Sequence, residues 1–105
     1  TIKHIAIEGK CFVFHVNQYF TKDMYPTGYH GPAADEISRL PKAPCSGGSA
    51  IIDPYGHYVT EPVWDCETII YADIDPDQAA RARMEFDPCG HYSRPDVTEL
   101  IVHEK

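Results

Sequence analysis

"ETIIYADIDPDQAARARMEF", residues 67–86, passes from an apolar, β-branched run into a segment with a marked helix start. Ile69, Tyr71 and Ile74 mix alternation with a continuous apolar core, which predicts a strand over residues 67–75. Asp75 stands where an N-cap belongs and Pro76 at the first helical position. An aspartate oxygen can accept an orphan amide there, and proline's fixed φ requires no amide partner. Ala79, Ala80, Arg83 and Phe86 keep helical spacing until Asp87-Pro88 stops the helix. A strand feeding a helix makes this an α/β chain.

Working upstream, "SAIIDPYGHYVTEP" (49–62) reads as a hairpin. Strands at 49–53 and 57–61 flank the turn "DPYG", with Pro54 at its second position and Gly56 at its fourth. "CFVFHV" (11–16) is nearly continuous in apolar residues and predicts a strand covered on both faces. "IKHIAIEG" (2–9) places Ile2, Ile5 and Ala6 on one helical face, with Gly9 as the expected C-cap. The start at Thr1 reads as a cut edge within a longer helix. Residues 19–48 are rich in proline and glycine and offer only "ADEISRL" as a short helical turn, so they read as a long loop. Downstream, "GHYSRPDVTELIVH" reads as an irregular turn followed by a strand at 97–102.

The chain has 105 residues, 43% hydrophobic and 24% charged, which fits one modest core. A net charge of −7 repels phosphate backbones and anionic lipid, which argues against nucleic acid and membrane surfaces as partners. No apolar run approaches the roughly 20 residues needed to cross a bilayer, and a cytoplasmic location is expected. Cys11, Cys45, Cys66 and Cys89 are widely spaced in core-like sequence and predict reduced thiols. With no CxxC or HxxxH, and only Cys89 and His91 two apart, no metal site is expected.

"HIAIEGKCFVFHVNQ", "GGSAIIDPYG" and "IIYADIDPDQAARARMEFDPCGHYSRPDV", in that order, together resemble the C-terminal part of nitrilases, a branch of the carbon-nitrogen hydrolase superfamily. The resemblance spans nearly all of residues 1–105, with a loop insertion at about 19–48, and "FDPCGHYSRPDV" is its most specific block. It implies an α/β fold forming part of an α-β-β-α sandwich, paired into a dimer that commonly extends into spirals or filaments. For the intact protein it implies hydrolysis of a small nitrile to a carboxylic acid and ammonia, with no cofactor. The catalytic Glu, Lys and Cys that it implies would lie upstream of the helix ending at Gly9. The partner is then either a second copy or the N-terminal part. The competing readings are a non-catalytic assembly module and an amidase or carbamoylase of the same superfamily.

Two clusters imitate a catalytic site. Cys66 in "WDCE" lies between Asp65 and Glu67, whose charges oppose a thiolate, and no His or Lys adjoins it. "EGKC" collects Glu8, Lys10 and Cys11, but Lys10 and Cys11 are expected to point to opposite faces of the strand they open, with Cys11 packed in the core. Catalytic residues in this chain are therefore expected to be none. Asn17 and Gln18, at the end of a core strand, and Ser49, after two glycines, are candidates for a substrate-pocket wall. The preferred alternative is that the two amides tie down the following loop. His91, Arg94 and Asp96 are candidates for an interface or for support behind the site, with Arg94 and Asp96 bracing a turn by bidentate bonding. Aromatic residues between 19 and 46 mark that loop for subunit contacts. His4, His15, His30, His57 and His103 show no partner pattern.

Overall fold

The "DPYG" segment folds as its residue types require. The computed structural model describes residues 1–87 and 90–103. The Asp53 carbonyl accepts the Gly56 N–H at 3.0 Å, and its Oδ1 accepts the N–H groups of Tyr55 and His57 at 2.9 Å each. Gly56 takes φ +85°, where a side chain would be strained, and a Cβ there would lie 2.6 Å from Ile7 Cδ1. Glycine thus closes the turn and admits a helix beside it. The flanking strands are β3 (Cys45–Ile52) and β4 (Tyr58–Trp64), which β4's sequence places directly after β3 and the register pairs antiparallel.

β3 is the central strand. β1 (Val13–His15) pairs antiparallel with its Ala50–Ile52 end, and β2 (Tyr19–Phe20) with its Cys45–Ser46 end. β4 covers the other edge, and its outer side pairs with no described strand. Pro62 lies within β4, a position tolerable where a ladder amide is not needed.

Helix α1 (Ile2–Gly9) lies on one face of this sheet. Ala6, Ala50 and Ile52 are fully or almost fully buried, with Ile2, Val13 and Tyr58 packed around them. Val13 faces Ile52, and Ile52 faces Tyr58, so register alone puts these side chains on the covered face. Lys3 Nζ adds a contact 3.9 Å above the Tyr58 ring. The opposite face carries Phe14, 57% exposed, opposite Ile51.

Helix α2 (Pro32–Arg39) starts after Gly31 at φ +67°, and helix α3 (Asp77–Glu85) follows Pro76. The N-cap of α3 is Pro76 rather than Asp75, but Asp75 still meets the helix start, its Oδ1 accepting the Asp77 N–H at 3.0 Å. Its other oxygen meets Arg81 at 2.5 Å. The Arg81 guanidinium first, and the Asp77 amide second, hold the Asp75 carboxyl below its ordinary range. Lys10 ties α3 back to α1: it is only 8% exposed, and its Nζ lies 3.8 Å from Glu85 Oε2.

Several expectations are corrected. Residues 67–75 form no strand, and Ile69 and Tyr71 are 73% and 81% exposed. β-propensity alone does not make a strand, which needs an edge whose amides and carbonyls can be paired. The same holds for 97–102, where a turn ends at Val97 and no ladder follows. The 11–16 strand shrinks to Val13–His15, and among the described elements α1 packs on one of its faces. The C-cap is Lys10, at φ 47°, rather than Gly9, and Lys10 is buried beside the helix end instead of opening a strand. A Cβ at Gly9 would lie 3.1 Å from Cys11 Sγ, so glycine serves close approach there. Cys11 is half-buried rather than fully in the core.

The 19–48 stretch is no structureless loop. It holds β2, a 3₁₀ turn (Lys22–Met24) and the eight-residue α2. Lys22 organises it, its Nζ donating to the Ser38 carbonyl at 2.6 Å near the α2 C-terminus and its amide to the Lys42 carbonyl at 2.9 Å. Phe20 and Tyr25 stack edge-on with centroids 4.8 Å apart. The helix stop expected at Pro88 and the thiol of Cys89 lie outside the described residues.

The mean fold is open. The radius of gyration is 20.8 Å and the extents are 62 × 42 × 18 Å, whereas a closed domain of this length would have a radius near ~13 Å. The molecule is a thin, mixed helix-and-strand slab around an antiparallel sheet.

The turn carries a pH dependence. Burial works to raise the Asp53 carboxyl, but hydrogen bonds from the His57 and Tyr55 amides, with the His57 ring at 3.3 Å, outweigh it and hold it below its ordinary range. A depressed carboxyl contributes stability above its unfolded value, ~3.9 for aspartate, and loses it as pH falls through the folded value. Opening of the Tyr55 and His57 amides, followed by hydrogen exchange corrected for intrinsic rates, should therefore increase below about pH 4. Asp53→Asn should flatten that dependence, and an unchanged acid profile in the variant would refute the assignment.

Candidate functional site

The central strand is irregular where it meets its two neighbours. Gly47 and Gly48 adopt φ +92° and +96°, and the β3–β4 register shifts between Gly47 and Ser49. A Cβ on Gly47 would sit 3.0 Å from the Val63 carbonyl oxygen. One on Gly48 would fall 2.6 Å from the Trp64 ring, so the indole lies on bare backbone. Asp65, at φ 58°, then turns the chain, with its N–H donating to the Ser46 carbonyl at 2.8 Å. These contacts direct residues 66–70 back across the open face.

On the other side of β3, the bulge leaves a gap between β1 and β2. Ser49 and Asn17 fill it. Ser49 Oγ accepts the Asn17 N–H and donates to the Asn17 carbonyl, both at 2.9 Å. Asn17 Nδ2 donates to the Gly47 carbonyl at 2.6 Å. Gln18 Nε2 reaches Cys45 Sγ at 3.4 Å. A serine hydroxyl thus takes the place of the ladder that the bulge interrupts.

Between these two structures lies a cleft of ≈ 470 Å³. Phe14, Val16 and Ile51 form its sheet wall, and Cys66 and Glu67 through Ile70 its outer wall. Asn17, Gln18 and Ser49, the three pocket candidates from the sequence, all line it. The structure brings them together and gives all three the tying role as well. Sequence reading could not locate the wall at 66–70, because that segment resembled a strand. It also overlooked Gly47 and Gly48 as the source of the geometry, although the pair before Ser49 was the available signal.

His91, Arg94 and Asp96 do not line this cleft. Arg94 Nε and Nη2 meet Asp96 Oδ1 and Oδ2 at 2.6 and 2.5 Å, a bidentate pair bracing an exposed turn. His91 donates its amide to Asp87 Oδ2 at 3.2 Å, and its ring meets Tyr92 edge-on. Two histidines expected to lack partners have them: His4 lies 3.2 Å from Glu8, and His57 beside Asp53.

Cys66 is exposed on the cleft, and among the described residues it has no histidine or lysine partner. His15 lines the same cleft, but among the described residues no hydrogen bond joins it to the Cys66 thiol. Among the described residues no group of three His, Cys, Asp or Glu is placed to hold a metal, and no helix is long and apolar enough to cross a membrane. The arrangement provides a pocket wall, apolar on its floor and amide-edged at its end.

The family model for carbon-nitrogen hydrolases matches residues 1–84. The chain belongs to the carbon-nitrogen hydrolase family. This carbon-nitrogen hydrolase chain is 43% identical over 105 residues to an aliphatic nitrilase of Sinorhizobium fredii (strain HH103), an alignment covering 100% of this chain and 33% of that protein. It is 42% identical over 106 residues to a nitrilase of Bradyrhizobium diazoefficiens, covering 100% of this chain and 32% of the relative. A bifunctional nitrilase/nitrile hydratase of Lupinus angustifolius is 40% identical over 106 residues, with 99% and 30% covered. The chain spans about a third of the length of these curated relatives.

Gly48→Ala should strain the backbone by about 1–3 kcal/mol and push the Trp64 ring off the bulge. Trp64 is the single tryptophan, so its fluorescence reports the wall directly. Gly28, at φ +100° with nothing within 4 Å, is the control. Gly48→Ala should shift the emission and Gly28→Ala should not; identical spectra would remove the bulge as organiser of the cleft.

Proposed function

We propose that this chain is the C-terminal segment of a nitrilase that converts a small nitrile to a carboxylic acid and ammonia. The observation that carries the reading is the cleft uniting Asn17, Gln18 and Ser49 on a chain whose relatives are named nitrilases. In the intact hydrolase, a cysteine supplied by the upstream part attacks the nitrile carbon to form a thioimidate. Water then releases ammonia, and hydrolysis of the resulting thioester gives the acid. The role of this chain is to provide sheet strands and part of the pocket wall. Its fold becomes one portion of an α-β-β-α sandwich, with residues 1–105 acting within a single hydrolase domain.

The exposed apolar side chains support a covering partner. Phe14, Val16, Ile69 and Tyr71 all stand open on or beside the uncovered face. In this reading the rest of the hydrolase domain covers part of that surface. The 19–46 excursion, with the Arg94–Asp96 brace, then serves contacts between subunits of a cytoplasmic homo-oligomer.

Ammonia release from a panel of aliphatic and aromatic nitriles tests the proposal. The 105-residue chain alone should release none. Joined to the upstream part of such a hydrolase it should release ammonia, and Cys66→Ala, a change in the cleft wall, should alter that rate without abolishing it, whereas loss of the upstream cysteine should abolish it. Release by the chain alone that disappears with Cys66→Ala would overturn both the fragment role and the passive reading of "WDCE".

A further inference from the structure

Both walls of the cleft hang from four consecutive residues of one strand, 46–49. The outer wall follows Trp64, seated on Gly48, and Asp65, bonded to Ser46. The inner end follows Asn17, bonded through its backbone to Ser49 and through its amide to Gly47. Ser46, Gly47 and Gly48 act through their backbone, whereas Ser49 acts through its side chain and has no positive φ to disturb. We propose that Ser49 is a positioning residue that sets the depth of the cleft, and so the length of apolar substituent that the substrate can carry.

The physical case has three parts. First, the hydroxyl bonds both backbone groups of one residue, so it fixes Asn17 in orientation as well as position; a single bond would leave rotation about it. Second, the fixed residue lies between Val16 and Gln18, both on the cleft, so a shift in its backbone moves an apolar and an amide side chain together. Third, the floor beyond them is Phe14, Ile51 and Ile69, surfaces that favour alkyl or aryl carbon over charge. Each methylene of substrate buried against such a floor is worth roughly 0.8 kcal/mol, about fourfold in affinity. A loosened Asn17 should erode that gain most for the longest substituents.

The proposal rests on the nitrilase reading, and its test separates the two. The intact hydrolase, its Ser49→Ala variant and its Ser49→Thr variant would be assayed on straight-chain nitriles of increasing length. Exchange of the Asn17 amide would be followed in the same proteins. Ser49→Ala should raise KM several-fold for the longest nitriles and little for the shortest, with kcat nearly constant. It should also speed Asn17 exchange about tenfold, the equivalent of 1.4 kcal/mol. Ser49→Thr, which keeps a hydroxyl, should restore both. A uniform fall in kcat, or an unchanged length profile, would overturn the positioning role. If the unmutated hydrolase turns over no nitrile, the nitrilase reading fails. Faster Asn17 exchange in Ser49→Ala would then still support Ser49 as the determinant of the cleft, and unchanged exchange would overturn that too.

Discussion

The backbone of Gly47 and Gly48 is the constraint on which the rest of the site depends. Two successive left-handed residues cannot stay in a regular ladder, so β3 loses register with β4 at the point where β1 also ends. Every unusual contact nearby answers that disruption. The Ser46 carbonyl is met by Asp65, the Gly47 carbonyl by the Asn17 amide, and the Asn17 backbone by Ser49. The unmet ladder groups are satisfied by side chains and by a turn, as buried backbone must be. The cleft is what opens between the diverted strands.

Local chemistry was legible in the sequence wherever it was self-contained. The Asp53–Gly56 turn formed as read, and the helix start at Asp75-Pro76 lies one residue from where it was expected; both need only their own neighbours. The grouping of Asn17, Gln18 and Ser49 was also legible, because strand ends and double glycines are local signals. Segments that depend on distant partners were not. Residues 67–75 and 97–102 have the composition of strands, yet among the described residues no edge receives them. Lys10 misled for the opposite reason: it is buried and its ammonium meets Glu85 of α3, far along the chain, and no local pattern announces that contact.

The open face connects fold to function. α1 covers the side bearing Val13, Ala50, Ile52 and Tyr58, while Phe14 and Ile51 share the other side with the cleft. A pocket wall must stay uncovered on the side that meets its ligand. In this chain the face on which no described helix packs is also the face that carries the candidate site, so incomplete burial and the cleft fall on the same surface. The excursion between β2 and β3 stands apart from it, pinned by Lys22 at both its helix and the segment that leads into β3.

The outer side of β4 has a consequence of its own. A strand bare along one side is a template on which further chains can add, the first step toward a cross-β fibril. Pro62 places a residue with no amide hydrogen in the middle of that strand, and Glu61 beside it adds a charge. Any chain docking there meets a missing donor and a carboxylate at adjacent positions. The edge that no described strand covers is thus guarded by its own sequence against adding further strands.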